Sequence, residues 1–469
     1  MPTRDSDELP TGRTRRAATA TAALGPSTAK LAGSLITSVA RSPDRAQELL
    51  EQRHEELADH ALDLLGSLRG GAMKIGQLAS FVDVELVPPE FRAVYQDRLA
   101  QLRDAAPPMS WPKIRRLLEG EWEAPIESLF EEFEQGASAA ASIGQVHRAR
   151  LPDGRRVAVK VQYPEIADAL AADLGTAAGI ATVLTPLGKA MMPGVEPRLL
   201  LGELRELVLE EVDYELEAQH QRAFARAYRG HPFIHVPPVV TELSRRRVLV
   251  SEWVDGASFQ EMVELPQDER DRIGEILQRF YFGAMDNVGR FNTDPHPGNY
   301  LLRGDGRMAM LDFGSVKVVD PRWLETSHRV LRSMVERDST RFMESLAELG
   351  YVHRVDRIDA ERLLEQALET TDWYMRDREL QIDPEYVAGI IARLTDPRRI
   401  DSSLRLVRGL KIPPEEIWFR RVQVGVLAVL GQLRARGNWH RNMREHTFGD
   451  EPATELGRQE REYFGGRKR

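Results

Sequence analysis

Between residues 42 and 68 the apolar positions recur at the period of an α-helix, with Leu49, Leu50, Leu57, Ala61, Leu64, Leu65 and Leu68 spaced for one buried face. Gly70-Gly71 interrupts that pattern. A second helical stretch passes through Lys74 and Gln77 to Phe81, Pro88-Pro89 marks a turn, and a third helix covers about 90–103. Ser110 is the predicted N-cap of a fourth, with Pro112 tolerated in its first turn and Gly120 closing it. Upstream, residues 1–30 mix Arg, Thr, Ala, Gly and Pro without periodicity, which predicts a mobile arm, with a targeting peptide as the other reading.

From Ala139 the period shortens to that of strands. Segments 146–151 and 156–162 flank a Pro152-Asp153-Gly154 turn, and the second arm, Val-Ala-Val-Lys-Val, is rich in β-branched residues. The apolar stretch 174–192 carries one charge, Lys189, but its Ala, Gly and Thr content and Pro186 predict a helical insertion, buried or facing lipid, rather than a membrane span. A long helix follows at 196–229, then short strands at 236–240 and 247–253. Beyond Asp255-Gly256 the pattern is helical apart from strands expected around 300–302 and 308–311. Segment 422–433, apolar but too short to span a membrane, reads as a core helix. The predicted class is α+β, a small antiparallel sheet followed by a large helical lobe.

Composition narrows the function. At 469 residues with 42% hydrophobic content the chain holds material for two or three domains. A formal charge of -9 argues against sequence-independent nucleic-acid binding, which needs a basic excess, and makes Arg245-Arg246-Arg247 a solvated surface patch. The absence of cysteine excludes disulfides, thiolate metal sites and cysteine nucleophiles. No secretory signal is visible, so the expected location is cytoplasmic, with peripheral attachment to a membrane left open.

The chemistry is concentrated downstream. Asp294-Pro-His-Pro-Gly-Asn299 is followed, thirteen positions on, by Asp312-Phe313-Gly314. Phosphoryl transfer needs a carboxylate beside the nucleophile, a neutral oxygen ligand for Mg²⁺, and a second carboxylate bridging metal and nucleotide. Kinases supply these in that order as D-x-x-x-x-N and D-F-G. Lys160 ends a Val-Ala-Val-Lys strand, the position from which a kinase lysine reaches the α and β phosphates. A carboxylate on a facing helix must orient it, and 196–229 offers Glu210, Glu211, Asp213, Glu215 and Glu217. Where a kinase has a glycine-rich loop, this chain has Ala139, Ala140, Ala141, Ser142, Ile143, Gly144 and Gln145. Alanine for glycine stiffens such a loop and adds methyls near phosphate. Glu252 and Val254, at the end of the last sheet strand, complete the nucleotide-contact candidates.

Taken with Lys74-Ile-Gly-Gln77, Ser142-Ile-Gly-Gln-Val-His147 and Glu211-Val-Asp213-Tyr-Glu-Leu-Glu217, these motifs resemble the UbiB/AarF family of atypical kinases, in the family's order over about 65–315. The resemblance implies a two-lobed, protein-kinase-like fold with an N-terminal helical extension over the active site. Mapped onto this chain, it divides into an arm (1–40), the extension (41–120), an N-lobe (121–254) with an insertion at about 165–195, a C-lobe (255–445) and a charged tail (446–469). It implies ATP or ADP and Mg²⁺ as cofactors, Lys160 paired with Glu217, Asp294 as the catalytic-loop aspartate, and Asn299 and Asp312 as metal ligands. Lys74, Gln77, Glu211 and Asp213 become a regulatory lid that excludes bulky peptides. Members are associated with ATP hydrolysis, small or lipid-like substrates, isoprenoid quinone biosynthesis and lipid homeostasis. Lys74 and Gln77 share a helix face, and a lysine presented to Glu211 across a dry interface makes a charge-assisted pair.

Two local features qualify that expectation. His296 stands where many kinases have a lysine that touches the transferred phosphate; it is either a pH-sensitive catalytic group or a loop-bracing hydrogen-bond partner. Asn292-Thr293 precedes Asp294 where the family often has a histidine and a small residue, which leaves open how the loop is braced. The rival readings are an ATP-gated pseudokinase scaffold and an orthodox Ser/Thr protein kinase, the second opposed by the absence of an A-P-E sequence after Gly314.

Overall fold

A computed structural model describes residues 109–141, 143–163, 212–352, 358–395 and 414–466. The expectations for the arm, for the extension as far as residue 108, Lys74 and Gln77 included, for Ser142, for the insertion at 174–192, and for 196–211, Glu210 and Glu211 included, lie outside the described residues. The chain divides into two compact units. The first is Met1–Ile126, Glu134–His147 and Lys160–Val183, and the second is Glu127–Phe133, Arg148–Val159 and Leu184–Arg469.

In chain order, helices α1 (Trp111–Trp122) and α2 (Ile126–Leu129) lead into strands β1 (Glu132–Phe133), β2 (Ala139–Ala141), β3 (Gly144–Arg150) and β4 (Arg156–Gln162). Then come α3 (Tyr214–Ala227), β5 (Ile234–His235), β6 (Val248–Glu252), α4 (Phe259–Met262) and the long α5 (Gln267–Val288). Strands β7 (Arg290–Asn292), β8 (Tyr300–Leu302), β9 (Met308–Met310) and β10 (Val316–Val318) follow. The rest is α6 (Pro321–Glu336), α7 (Ser339–Glu348), α8 (Ala360–Thr370), α9 (Asp372–Met375), β11 (Leu380–Gln381), α10 (Pro384–Thr395), α11 (Pro414–Leu433), β12 (Arg436–Gly437), α12 (Trp439–Thr447) and α13 (Glu455–Gly465).

Within the first unit, β2 turns back on β3 in antiparallel register, Ala139 opposite Val146 and Ala141 opposite Gly144. Gly144 is required by its neighbour across the sheet: a Cβ there would lie 2.1 Å from the carbonyl oxygen of Val161. Met109, just ahead of α1, is tied to β3 through a relay. Its N–H donates to Gln145 Oε1 at 2.8 Å, Gln145 Nε2 donates to His147 Nε2 at 2.9 Å, and His147 Nδ1–H donates to the Glu134 carbonyl at 2.9 Å. The relay needs a neutral imidazole, and burial lowers the His147 pKa accordingly. α1 continues past Gly120 because Trp122 is buried, and it ends with Glu123 at φ 52 instead. Ser110 precedes α1, but its side chain makes no capping bond.

Within the second unit, residues 148–150 of β3 and 156–159 of β4 lie between β1 and β6, in the order β1-β3-β4-β6. Arg150 pairs with Glu132, and Trp253 N–H donates to the Arg156 carbonyl at 3.0 Å. The strand expected at 236–240 does not form. Pro237 and Pro238 have no N–H to give a ladder, so only a bridge between Val239 and Ser251 remains, while Ile234-His235 pairs in parallel with β9. Of the helix expected over 196–229, residues 196–211 lie outside the described residues; Val212-Asp213 is not helical, and the helix that is described begins at Tyr214. Asp213 caps α3, its carboxylate accepting from the N–H of Glu215 at 3.0 Å and of Leu216 at 3.2 Å.

α5 is the axis of the helical region, burying Ile273, Ile276, Leu277, Phe280, Tyr281 and Ala284. α11 packs along it with Val422, Val426, Leu430 and Leu433 inward, as expected for a core helix. The charged 446–469 segment contains α13, whose Glu460 is buried on Arg279 of α5 at 3.0 Å. That arginine is itself 2% exposed and also meets Glu275 at 2.7 Å and Glu445 at 2.8 Å.

Candidate active site

The segment that carries Asp294 is built between two short antiparallel pairs. α5 ends at Gly289, whose φ of 67 reverses the chain into β7. β7 pairs with β10, Asn292 opposite Val316 and Arg290 opposite Val318, while β8 pairs with β9, Tyr300 opposite Met310. The Asp294 loop and the Asp312-Phe313-Gly314 loop therefore emerge side by side. Asn292 Nδ2 donates to the Asp312 carbonyl at 2.7 Å, and its Oδ1 accepts from the Asp294 N–H at 2.9 Å. Thr293 N–H donates to the Ser315 carbonyl at 2.8 Å, and the two hydroxyls meet at 2.5 Å. This answers how Asn292-Thr293 braces the loop: both residues clamp it to the second motif. From below, the buried Tyr281 hydroxyl donates to the Asp294 carbonyl at 3.2 Å and meets the Tyr300 hydroxyl at 2.8 Å.

Asp294 and Asn299 are brought together. Asn299 Nδ2 donates to Asp294 Oδ2 and to its carbonyl, each at 3.2 Å, which turns the amide oxygen away from Asp294. The Leu311 N–H donates to the Asn299 carbonyl at 3.0 Å, which sets Asn299 next to the Asp312 segment. His296 caps the 3-10 turn Pro297–Asn299, its Nδ1 accepting from the Gly298 N–H at 3.0 Å, a loop-bracing role.

The other oxygen of Asp294 is held by a residue that the sequence patterns do not single out. Arg421 Nη2 on α11 donates to Asp294 Oδ1 at 2.9 Å, with the side chains 14% and 27% exposed. One turn along the same face, α11 approaches the loop so closely that a Cβ on Gly425 would sit 2.3 Å from Pro295 Cγ. No local signal links position 421 to position 294, since the contact spans 127 positions.

α3 closes the opposite side. Glu217 and Phe224 lie two turns apart on one face. Phe224 packs on Phe313 with ring centroids 5.0 Å apart, and Phe313 is fully buried. Gly314 is flanked by carboxylates: a Cβ there would be 3.4 Å from Asp312 Oδ1 and 3.5 Å from Glu217 Oε2. The Gly314 N–H also donates to Asp312 Oδ1 at 2.9 Å. Asp294, Asn299, Asp312 and the buried Glu217 thus collect in the second unit as an acidic, oxygen-rich corner.

Of the remaining candidates, Lys160 is half-buried on β4 in the first unit, on the strand face opposite the buried Val157, Val159 and Val161. Ala139 and Ala141 are strand residues of β2, and Ala140 opposes Gln145. Gln145 is 2% exposed with its side-chain amide consumed by the Met109–His147 relay, so it offers a nucleotide no side-chain group. In the second unit the Glu252 carboxylate bonds His235 Nε2 at 3.0 Å, which holds its pKa below the usual range, and Val254 is buried. Among the described residues no cluster of three His, Cys, Asp or Glu side chains forms a metal site. Asn299 and Asp312, the two expected metal ligands, lie on segments joined by the Leu311 N–H bond to the Asn299 carbonyl.

The comparisons with known proteins point the same way. Residues 101–346 match the ABC1 atypical kinase-like domain. The chain is 28% identical over 409 residues to the mitochondrial atypical kinase coq-8 of Caenorhabditis elegans, covering 85% of this chain and 52% of that protein. It is 32% identical over 311 residues to an uncharacterized chloroplastic aarF domain-containing protein kinase of Arabidopsis thaliana, covering 66% of this chain and 43% of that one. The chain thus spans about half the length of these curated relatives. Among solved structures, the Mycobacterium tuberculosis protein Rv3197 in complex with erythromycin aligns with a TM-score of 0.60 at 32% identity, over 85% of this chain and 97% of that one. With a domain match over more than half its length and the kinase motifs held in one corner, the chain belongs to the ABC1 atypical kinase-like family, also called UbiB/AarF.

Proposed function

We propose that this chain is an ATP-binding, Mg²⁺-dependent atypical kinase or ATPase. The observation that carries this reading is the clamp of Asp294 and Asn299 against Asp312 through Asn292 and Thr293. Positioning of this kind is what phosphoryl transfer asks of a protein. Asn299 and Asp312 would hold Mg²⁺, and the metal, when bound, would neutralise charge on the phosphate oxygens. Asp294 orients the acceptor hydroxyl or water, its two carboxylate oxygens fixed by Arg421 and Asn299. Lys160 and the main chain of β2 in the first unit, and Glu217 and the main chain of 252–254 in the second, are the further residues that the family resemblance assigns to nucleotide binding. ATP, small or lipid-like acceptors, peripheral membrane association, a cytoplasmic location and a peptide-excluding lid around Lys74, Gln77, Glu211 and Asp213 are parts of the same proposal.

Family membership supports a role tied to isoprenoid quinones or lipid homeostasis. Erythromycin, the bulky macrolide in complex with the Mycobacterium tuberculosis protein, supports a non-peptide ligand class. Among the described residues no helix is long and apolar enough to cross a membrane. The test is Mg²⁺-dependent ATP turnover by the full chain against Asp312→Asn. Loss of both nucleotide-dependent metal binding and turnover is expected, and wild-type behaviour of the variant overturns the reading.

A further inference from the structure

We infer that Arg421 is a positioning residue of the phosphoryl-transfer site, delivering to Asp294 the positive charge that the catalytic loop itself does not supply; this rests on the function proposed above. Kinase-type loops carry a lysine near the catalytic aspartate, and here that position is His296. Its ring is turned into the loop, Nδ1 accepting the Gly298 N–H at 3.0 Å. The cation comes instead from α11. Arg421 Nη2 lies 2.9 Å from Asp294 Oδ1, in a setting where the guanidinium side chain is 14% exposed. Gly425, four positions on, lets the helix backbone come down onto Pro295, because any larger residue would collide with its ring at 2.3 Å. Two independent features of one helix face are therefore fitted to two consecutive residues of the loop. With Asn299 on Oδ2 and Arg421 on Oδ1, the carboxylate has a single orientation before any substrate arrives.

The role is separable from simple support of the fold. Steady-state ATP turnover is measured on the full chain for wild type, Arg421→Ala, Arg421→Lys, Arg421→Gln and, as a control on the same helix, the exposed Arg420→Ala. Removing a preorganised charge of this kind lowers turnover by ~10²-fold. The expected result is such a fall in kcat for Arg421→Ala, with KM for ATP within about 2-fold of wild type, since the ground-state nucleotide contacts lie elsewhere. Arg421→Lys recovers part of the rate and Arg421→Gln, which retains an N–H donor without charge, recovers less. Guanidinium ion added to Arg421→Ala restores part of the rate and leaves Arg420→Ala unaffected. A purely structural arginine gives another pattern: the unfolding midpoint and KM move together, Lys and Gln behave alike, and guanidinium does nothing. That pattern, or a wild-type kcat in Arg421→Ala, overturns the inference. Absence of Mg²⁺-dependent turnover in the wild-type chain, or its persistence in Asp312→Asn, overturns the proposed function first and this inference with it.

Discussion

The side-chain amide of Asn292 joins the two catalytic motifs, its Nδ2 donating to the Asp312 carbonyl at 2.7 Å while its Oδ1 accepts the Asp294 N–H at 2.9 Å. Asn292 is 3% exposed, so neither bond has water as a ready substitute. Asn292→Ala is expected to lose about 1–3 kcal/mol of stability and to lower ATP turnover further than that loss explains, because Asp294 and Asp312 lose their common reference. Asn292→Asp is expected to be worse, since a carboxylate cannot donate to the Asp312 carbonyl. Urea unfolding alongside turnover at a temperature well below the unfolding midpoint checks both; equal activity in all three proteins contradicts the clamp.

Gly425 makes a second prediction. A methyl group at this position meets Pro295 at 2.3 Å, so either α11 or the loop must shift. Overpacking of this kind costs about 1–3 kcal/mol. Gly425→Ala is expected to weaken the fold by that amount and to reduce kcat through Asp294, whereas Gly389→Ala, which meets nothing within 4 Å, leaves kcat unchanged. Paired denaturation and activity measurements distinguish the two variants.

Arg279 is a buried ionic hub outside the site. It is 2% exposed and shared among Glu275, Glu445 and Glu460, with Thr454 and Asn442 completing its donors. Arg279→Met leaves buried carboxylates without their cation, at a cost of about 3–5 kcal/mol. Because Thr454 and Glu460 belong to the C-terminal segment, that segment is expected to gain sites of limited proteolysis that the wild type lacks. A variant with unchanged stability and unchanged cleavage pattern refutes this account.

Acid should destabilise the protein. Burial holds the imidazoles of His220 and His328 down to about 4 and that of His446 to about 3. Their depressed values mean that the unfolded chain takes up protons first, so stability present above pH 6.5 is lost as pH falls toward 4, by about 1.4 kcal/mol per pH unit for each group. Glu460 opposes them: burial raises its pKa to about 7, so its contribution is present at low pH and is lost as pH rises through 7. Three groups against one give a net fall in stability below pH 6.5. Urea midpoints between pH 4 and 8 should show that slope, and His446→Gln should flatten it.

How much of this was legible in the sequence depends on how local each relationship is. The Asp294, Asn299 and Asp312 set could be read because its members are near one another along the chain and their chemistry is unusual. The β4 strand and the core face of α11 could be read because β-branched and apolar residues repeat at the right periods. β7 and β10 are three residues each, too short for any period to register, yet they align the motifs. β3 misleads for another reason: Gln145 and His147 are buried while Val146 between them is more exposed, so polarity points to the wrong face. Arg421 lay beyond reach because helix packing, and nothing in its neighbourhood along the chain, carries it to Asp294.

The β8–β9 hairpin joins the two motifs along the chain. Its paired residues, Tyr300 with Met310 and Leu302 with Met308, fix where Asn299 and Asp312 emerge, but its tip at 304–305 is exposed and turns through Gly306 at φ 81. Lengthening that tip would leave the ladder and both motifs where they are, whereas sliding β10 by one residue would turn Val316 and Ser315 to the wrong sides and dissolve the clamp on Thr293. The interval between Asn299 and Asp312 can therefore lengthen at the tip without moving either residue. The pairing of Asn292 with Val316, and not the number of residues in the hairpin, is what holds the two motifs in register.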